Sequence, residues 1–150
     1  MTDVFPVLRV LGMLIMLFAL AMGVPLAVSW YAQDGVWQVY PAAMGVALLV
    51  GLILLLRMRR YKRELQPLHG VMLVSLVCAL LPLFAAVPLM LACAQVGRPM
   101  SFTYAYFEAV SGLTTTGSTV LSNLDTLPVS VNVWRTFLQW IGGMGILILA

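Results

Sequence analysis

The sequence predicts an all-α integral membrane protein: two leading transmembrane helices, then one repeat built of a helix, a re-entrant pore loop and a second helix. Three observations carry this. First, the 150 residues are 63% hydrophobic and only 9% charged, with a mean hydropathy of +1.05, whereas a soluble domain carries about 25% charged residues. A chain so poor in polar groups cannot cover its own surface, so its solvent is largely lipid. Second, three apolar runs are each long enough to cross a bilayer. Third, a helical stretch too short to cross is followed by a threonine-rich strand and another apolar helix.

The first run, Val7 to Trp30, is too long for a signal-peptide core of roughly 7–15 residues, although Ala27 to Ser29 has the look of a cleavage site. Arg9 near its start can snorkel to headgroups. Pro25 is expected to kink its far end, and Trp30 with Tyr31 to form an aromatic belt. After a polar turn at Ala32 to Gly35, the second run, Val39 to Leu56, just reaches across a core of ~30 Å. The third, Val71 to Ala94, contains Pro82 and Pro88, which should bend it.

Five of the eight basic residues fall between Arg57 and Arg63, directly after the second run. Such a cluster marks a cytoplasmic flank under the positive-inside rule and can touch anionic lipid; it does not point to nucleic acid. The N-terminus is then cytoplasmic, with Asp34 and Arg98 on the far side. Cys78 and Cys93 lie in one run, over 20 Å apart on a helix at ~1.5 Å per residue, so they read as packing residues. His69, the single histidine, reads as interfacial. With no nucleophile–base pair, phosphate loop or metal-ligand cluster, an enzyme is not expected.

The informative region is Ser101 to Ala150. Ser101 to Ser111 has helical composition and a possible cap at Ser101 or Thr103, but spans only roughly 16 Å. The third run leaves the chain on the outside, so this half helix must dip in and return before the last helix, starting near Val129, can descend. The negative end of its dipole then faces Leu113 to Thr119, favouring a cation there. Irregular backbone at membrane depth is tolerated where it lines a cavity or is buried in protein. Carbonyls of an extended strand can replace the hydration shell of a monovalent cation, and a glycine permits the backbone conformation this needs. The competing reading is a polar loop on a non-conducting membrane scaffold or assembly subunit, because Thr/Ser/Gly clusters are common in loops.

Phe107 to Ala150, "FEAVSGLTTTGSTVLSNLDTLPVSVNVWRTFLQWIGGMGILILA", resembles the first pore repeat of the bacterial Trk-type potassium uptake proteins of the Trk/Ktr/HKT superfamily. Leu8 to Trp30 resembles that family's N-terminal helix pair more loosely. "LHG" (Leu68 to Gly70) stands where an acidic and basic pair is expected. The resemblance implies a potassium-channel-like fold of four repeats around one pore, in the bacterial inner membrane. It makes the chain a fragment with residues 1–66 as the leading pair and residues 67–150 as the first repeat. It aligns Gly117 with the filter glycine and makes the carbonyls of Thr115 and Thr116, then Gly117 and Ser118, the K+ ligands. It also implies a cytosolic nucleotide-binding regulatory subunit and a homodimer of full-length transporters, with potassium as the transported ligand and no covalent cofactor. Glu108 and Arg135 are expected to pair behind the strand as supporting residues. The glycines of Ile141 to Gly145 suggest close packing against the pore loop or a neighbouring helix.

Overall fold

The computed structural model describes residues 4–60 and 67–149; Tyr61, Lys62 and Arg63 of the basic cluster lie outside the described residues. The chain order is α1 (Phe5–Ala21), α2 (Gly23–Ala32), α3 (Val39–Arg57), α4 (Pro67–Gln95), α5 (Phe102–Leu113), a 3-10 turn (Leu124–Thr126) and α6 (Val129–Leu149). Phe5–Ala32, Val39–Arg57 and Pro67–Gln95 are long and apolar enough to cross a membrane.

The interruption between α1 and α2 falls at Met22, one turn ahead of Pro25. A proline has no N–H to offer the carbonyl four residues back, and its ring crowds that carbonyl; for Pro25 this is Ala21. Met22 still donates to Phe18 O at 3.3 Å and to Ala19 O at 3.2 Å, so the two helices form one span. By contrast α4 continues through both Pro82 and Pro88.

α1 and α3 cross at a pair of glycines. A Cβ on Gly51 would sit 2.6 Å from Met16 Cγ and 3.0 Å from the Gly12 carbonyl; one on Gly12 would sit 3.1 Å from the Gly51 carbonyl. Small residues let helix backbones approach closely in lipid, where apolar burial gives helices little reason to associate. The core continues from this crossing through Leu11, Ile15 and Phe18 to Leu89 of α4 and Trp134 of α6. Trp134 is fully buried, its ring centroid 5.5 Å from that of Phe18, and its indole N–H donates to Ala85 O at 3.2 Å. Trp140 lies 60% exposed and stacks on Phe137. Cys78 is exposed and Cys93 buried on α4, and His69 is buried in its first turn.

The α2–α3 turn does more than reverse the chain. Gln33 and Gly35 adopt left-handed backbone, with φ of 52° and 81°, and Asp34 between them reaches across to α6. Its Oδ2 accepts from the Ser130 N–H at 3.1 Å, while Oδ1 accepts from the Ser29 hydroxyl and from the Val36 N–H. Asp34 therefore satisfies a free N–H at the start of α6 from a different part of the chain. Burial pushes its carboxyl pKa up, but hydrogen bonds from Ser130, Ser29 and Val36 outweigh that and hold it below the usual carboxylate range.

Candidate functional site: a re-entrant strand against a half helix

α5 starts at Ser101, whose extended backbone and side-chain oxygen cap the helix by accepting from Tyr104 N–H at 3.3 Å. It ends at Leu113, deep along α6. A Cβ on Gly142 would lie 2.2 Å from the Leu113 carbonyl, so Gly142 admits the end of α5. That point is roughly 20 Å along α6 from its first residue. Gly112 is also close-packed: a Cβ there would meet Leu138 Cβ at 3.0 Å.

From Leu113 the chain turns back and climbs beside α5. Ser118 O accepts from Ser111 Oγ at 2.6 Å, and Val120 N–H donates to Glu108 Oε1 at 2.7 Å. Further up, Ser122 O accepts from Arg98 at 2.6 Å. As residue numbers rise along the strand their partners' numbers fall, which is the signature of a helix descending and a strand returning alongside it. The short-helix, polar-strand, long-helix pattern therefore takes a re-entrant path.

Two consecutive backbone donors, Thr116 N–H and Gly117 N–H, converge on the Ser111 carbonyl at 2.9 and 3.4 Å. Every described peptide bond is trans, so each carbonyl points opposite to the N–H of its own peptide plane. The plane carrying Thr116 N–H also carries the Thr115 carbonyl, and the plane carrying Gly117 N–H carries the Thr116 carbonyl. Both oxygens are thus turned away from α5. Among the described residues, the carbonyls of Thr115, Thr116 and Gly117 accept no hydrogen bond. The strand from Thr114 to Val120 is exposed along the open face of the chain.

Backbone handedness produces this arrangement. Thr115 and Gly117 have φ of 58° and 76°, while Thr116 between them does not share the left-handed region. Alternating hands let successive N–H groups converge on one side. Glycine tolerates this conformation, but for a β-branched threonine it is strained by about 1–2 kcal/mol. Thr115 is held there by its N–H on Gly112 O at 2.9 Å and its hydroxyl on Thr114 O at 2.7 Å. The Thr114 and Thr116 hydroxyls lie 2.8 Å apart, and the Thr114 hydroxyl donates to Val110 O at 2.7 Å.

Glu108 and Arg135 meet, with Arg135 Nε 3.0 Å from Glu108 Oε2. Glu108 is buried, and its other oxygen accepts from Val120 N–H and the Thr119 hydroxyl. Each carboxylate oxygen is therefore engaged, as a buried charge requires. These two residues adjoin Thr119 and Val120, just above the Thr115–Ser118 stretch.

Sequence reasoning did not single out Ser111, although its hydroxyl and carbonyl together hold three strand residues. Counting donors and acceptors would have found it. A strand without sheet partners at membrane depth must send its polar backbone groups to neighbouring side chains or helix ends, and Ser111 is the polar residue one turn before the strand. In the sequence Arg98 and Asp34 read only as charges that set orientation; in the structure both are hydrogen-bonding centres.

A family profile described as TrkH, cation transport protein, matches residues 41–150. The chain is 42% identical over 144 residues to the Trk system potassium uptake protein TrkH of Halomonas elongata, an alignment covering 96% of this chain and 29% of that protein. Against the Escherichia coli protein of the same name the identity is 37% over 142 residues, covering 95% and 29%. The backbone superposes on the crystal structure of the potassium transporter TrkH from Vibrio parahaemolyticus with a TM-score of 0.91 at 35% identity. That match covers 99% of this chain and 31% of the crystallised one. The chain thus spans 29% of the length of these curated relatives.

Proposed function

The chain belongs to the TrkH cation-transport family, and on that premise we propose that it supplies one of four strands of a carbonyl-lined potassium filter in a longer uptake protein. The observation that carries this is the pair of peptide planes pinned to Ser111 O, which turn the Thr115 and Thr116 carbonyls toward the open face. These are the first K+ ligands, followed by Gly117 and Ser118. The Ser118 carbonyl already accepts from Ser111 Oγ, leaving one lone pair for an ion. The C-terminal end of α5 adds a partial negative charge beside them.

One strand cannot encircle an ion, so three further strands of the whole protein complete the ring. Glu108 and Arg135 hold the strand from behind and do not touch the ion. Residues 1–66 are a leading helix pair, and residues 67–150 the first repeat. The Arg57 end faces the cytoplasm of a bacterial inner membrane, and the Asp34 and Arg98 end faces outward. The whole transporter works as a homodimer with a cytosolic nucleotide-binding regulatory subunit. The family's description as a cation transport protein speaks against a non-conducting scaffold.

The test is Gly117→Ser in the full-length transporter, expressed in a strain lacking other potassium uptake. Gly117 has φ of 76°, and a Cβ there would find its nearest neighbour, Gln139 Nε2, only at 4.0 Å. The substitution therefore strains the backbone by about 1 kcal/mol without a clash. Potassium-over-sodium selectivity is expected to fall at normal membrane levels of the protein. Unchanged selectivity at normal expression would remove Gly117 from the filter.

A further inference from the structure

α4 ends in a turn that places one side chain with care. Gly97 N–H donates to Ala94 O at 3.2 Å and Arg98 N–H to Cys93 O at 2.9 Å, with Gly97 left-handed at φ 74°. This is a Schellman helix end. It turns Arg98 out of the helix and toward the segment that follows the re-entrant strand. The guanidinium there bridges three acceptors on one tight bend: Nη2 donates to Ser122 O at 2.6 Å, and Nη1 to Asn123 O at 3.3 Å and Thr126 Oγ1 at 2.9 Å. Asn123 is itself left-handed at φ 51°, and within the bend its carbonyl also accepts from the Thr126 N–H at 3.0 Å and the Thr126 hydroxyl at 2.7 Å, while Leu124 O accepts from Asn132 Nδ2 at 2.9 Å. Arg98 is the tie that joins this bend to the end of α4.

The strand is therefore held at three heights: by Ser111 at its deep end, by Glu108 in the middle, and by Arg98 where it leaves for α6. We propose that Arg98 is a positioning residue for potassium binding, fixing the exit of the ion-binding strand so that the Thr115–Ser118 carbonyls keep their spacing. This rests on the filter reading above. The agent is the planar fork, which reaches several acceptors at once; an ammonium group is a compact point charge on a flexible stem and does not reproduce that geometry. The competing possibility is that Arg98 acts by charge alone, repelling cations at the mouth.

The two are separated by Arg98→Lys and Arg98→Gln in the full-length transporter, with Gly117→Ser measured beside them. Positioning predicts that Lys and Gln behave alike: the KM for potassium rises roughly tenfold, as expected for losing one charge-assisted hydrogen bond. The maximal rate per inserted transporter changes little, and sodium discrimination weakens. Thr126→Val, at an exposed site, removes one acceptor of Arg98 together with the Thr126 hydroxyl's own bond to Asn123 O at 2.7 Å. It is expected to raise the KM less, in the same direction, and to add little when combined with Arg98→Lys, whereas fully additive effects would place its role inside the bend and not on Arg98. A wild-type KM in Arg98→Lys together with a lowered KM in Arg98→Gln would establish the charge role and overturn positioning. Arginine variants that insert at a reduced level but keep the wild-type KM and sodium discrimination would overturn it too. If Gly117→Ser retains full selectivity, the filter reading falls and takes the role of Arg98 with it; if Gly117→Ser loses selectivity while Arg98→Lys and Thr126→Val do not differ from wild type, the Arg98 proposal alone is wrong.

Discussion

The α1–α3 crossing is buried and the re-entrant strand lies exposed on an open face of the chain, and the two are held by opposite means. At the crossing, Gly12 and Gly51 bring two backbones together, and every backbone polar group there is served inside its own helix. Shape does the work. The strand has no ladder of its own, so its N–H and C=O groups turn to Ser111, Glu108 and Arg98, while two carbonyl oxygens are left facing outward. In lipid a helix is self-sufficient in hydrogen bonds and an extended strand is not. The polar residues of the repeat are concentrated where that debt falls.

The contrast can be pressed at four points. The largest effect is expected from Gly142→Ala, because the new methyl would meet the Leu113 backbone carbonyl at 2.2 Å and neither helix can yield cheaply. Uptake and the yield of folded transporter in detergent should both collapse. Normal yield would mean that α5 does not end against α6.

Next comes Glu108→Gln, which leaves Arg135 without its buried counter-charge and should cost about 3–5 kcal/mol, read as a lowered melting temperature. The reciprocal charge swap of Glu108 and Arg135 should not recover stability, since an arginine at 108 cannot accept from Val120 N–H. Full recovery would show that the ion pair alone matters and the link to the strand does not.

Gly51→Ala is expected to cost less, about 1–3 kcal/mol. Its closest neighbour, Met16 Cγ at 2.6 Å, can swing aside, and the Gly12 carbonyl at 3.0 Å demands only a small shift. A larger loss than for Glu108→Gln would invert the comparison.

The smallest effect belongs to Asp34, which links the two regions. Its lowered pKa means that the ionised form adds stability above the ordinary carboxylate value of about 3.9. That stability is lost as the pH falls through the lower folded-state value. The melting difference between wild type and Asp34→Asn should therefore be steady at neutral pH and shrink below about pH 4. A difference independent of pH would assign the loss to geometry and not to charge.

How much of this was legible in the sequence follows the same divide. Apolar runs declare themselves by length and composition, so the spans beginning near Val7, at Val39 and near Val71 needed only hydropathy and the bilayer thickness. The half helix was legible because Ser101 caps it and its length fails to cross. Pro25 points to an interruption near the far end of the first run, and the structure puts it at Met22, one turn ahead, because a proline disrupts the turn before it. The identities of Ser111 and Arg98 as holders of the strand were not legible: periodicity says nothing about which carbonyl a side chain reaches. The Asp34–Ser130 link joins positions 96 apart, beyond any local pattern.

The polar links to the strand have a different reach. The longest of them, from Arg98 to Thr126, spans 28 positions, and Glu108 to Arg135 spans 27. Contacts so local form early, because little chain entropy is lost in closing them. During synthesis the strand can be clasped once Arg135 has been made, whereas the tie from α6 to the leading pair must close a loop of 96 positions between Asp34 and Ser130. The order of emergence from the ribosome thus favours a strand already clasped to its half helix over an open polar segment adrift in lipid.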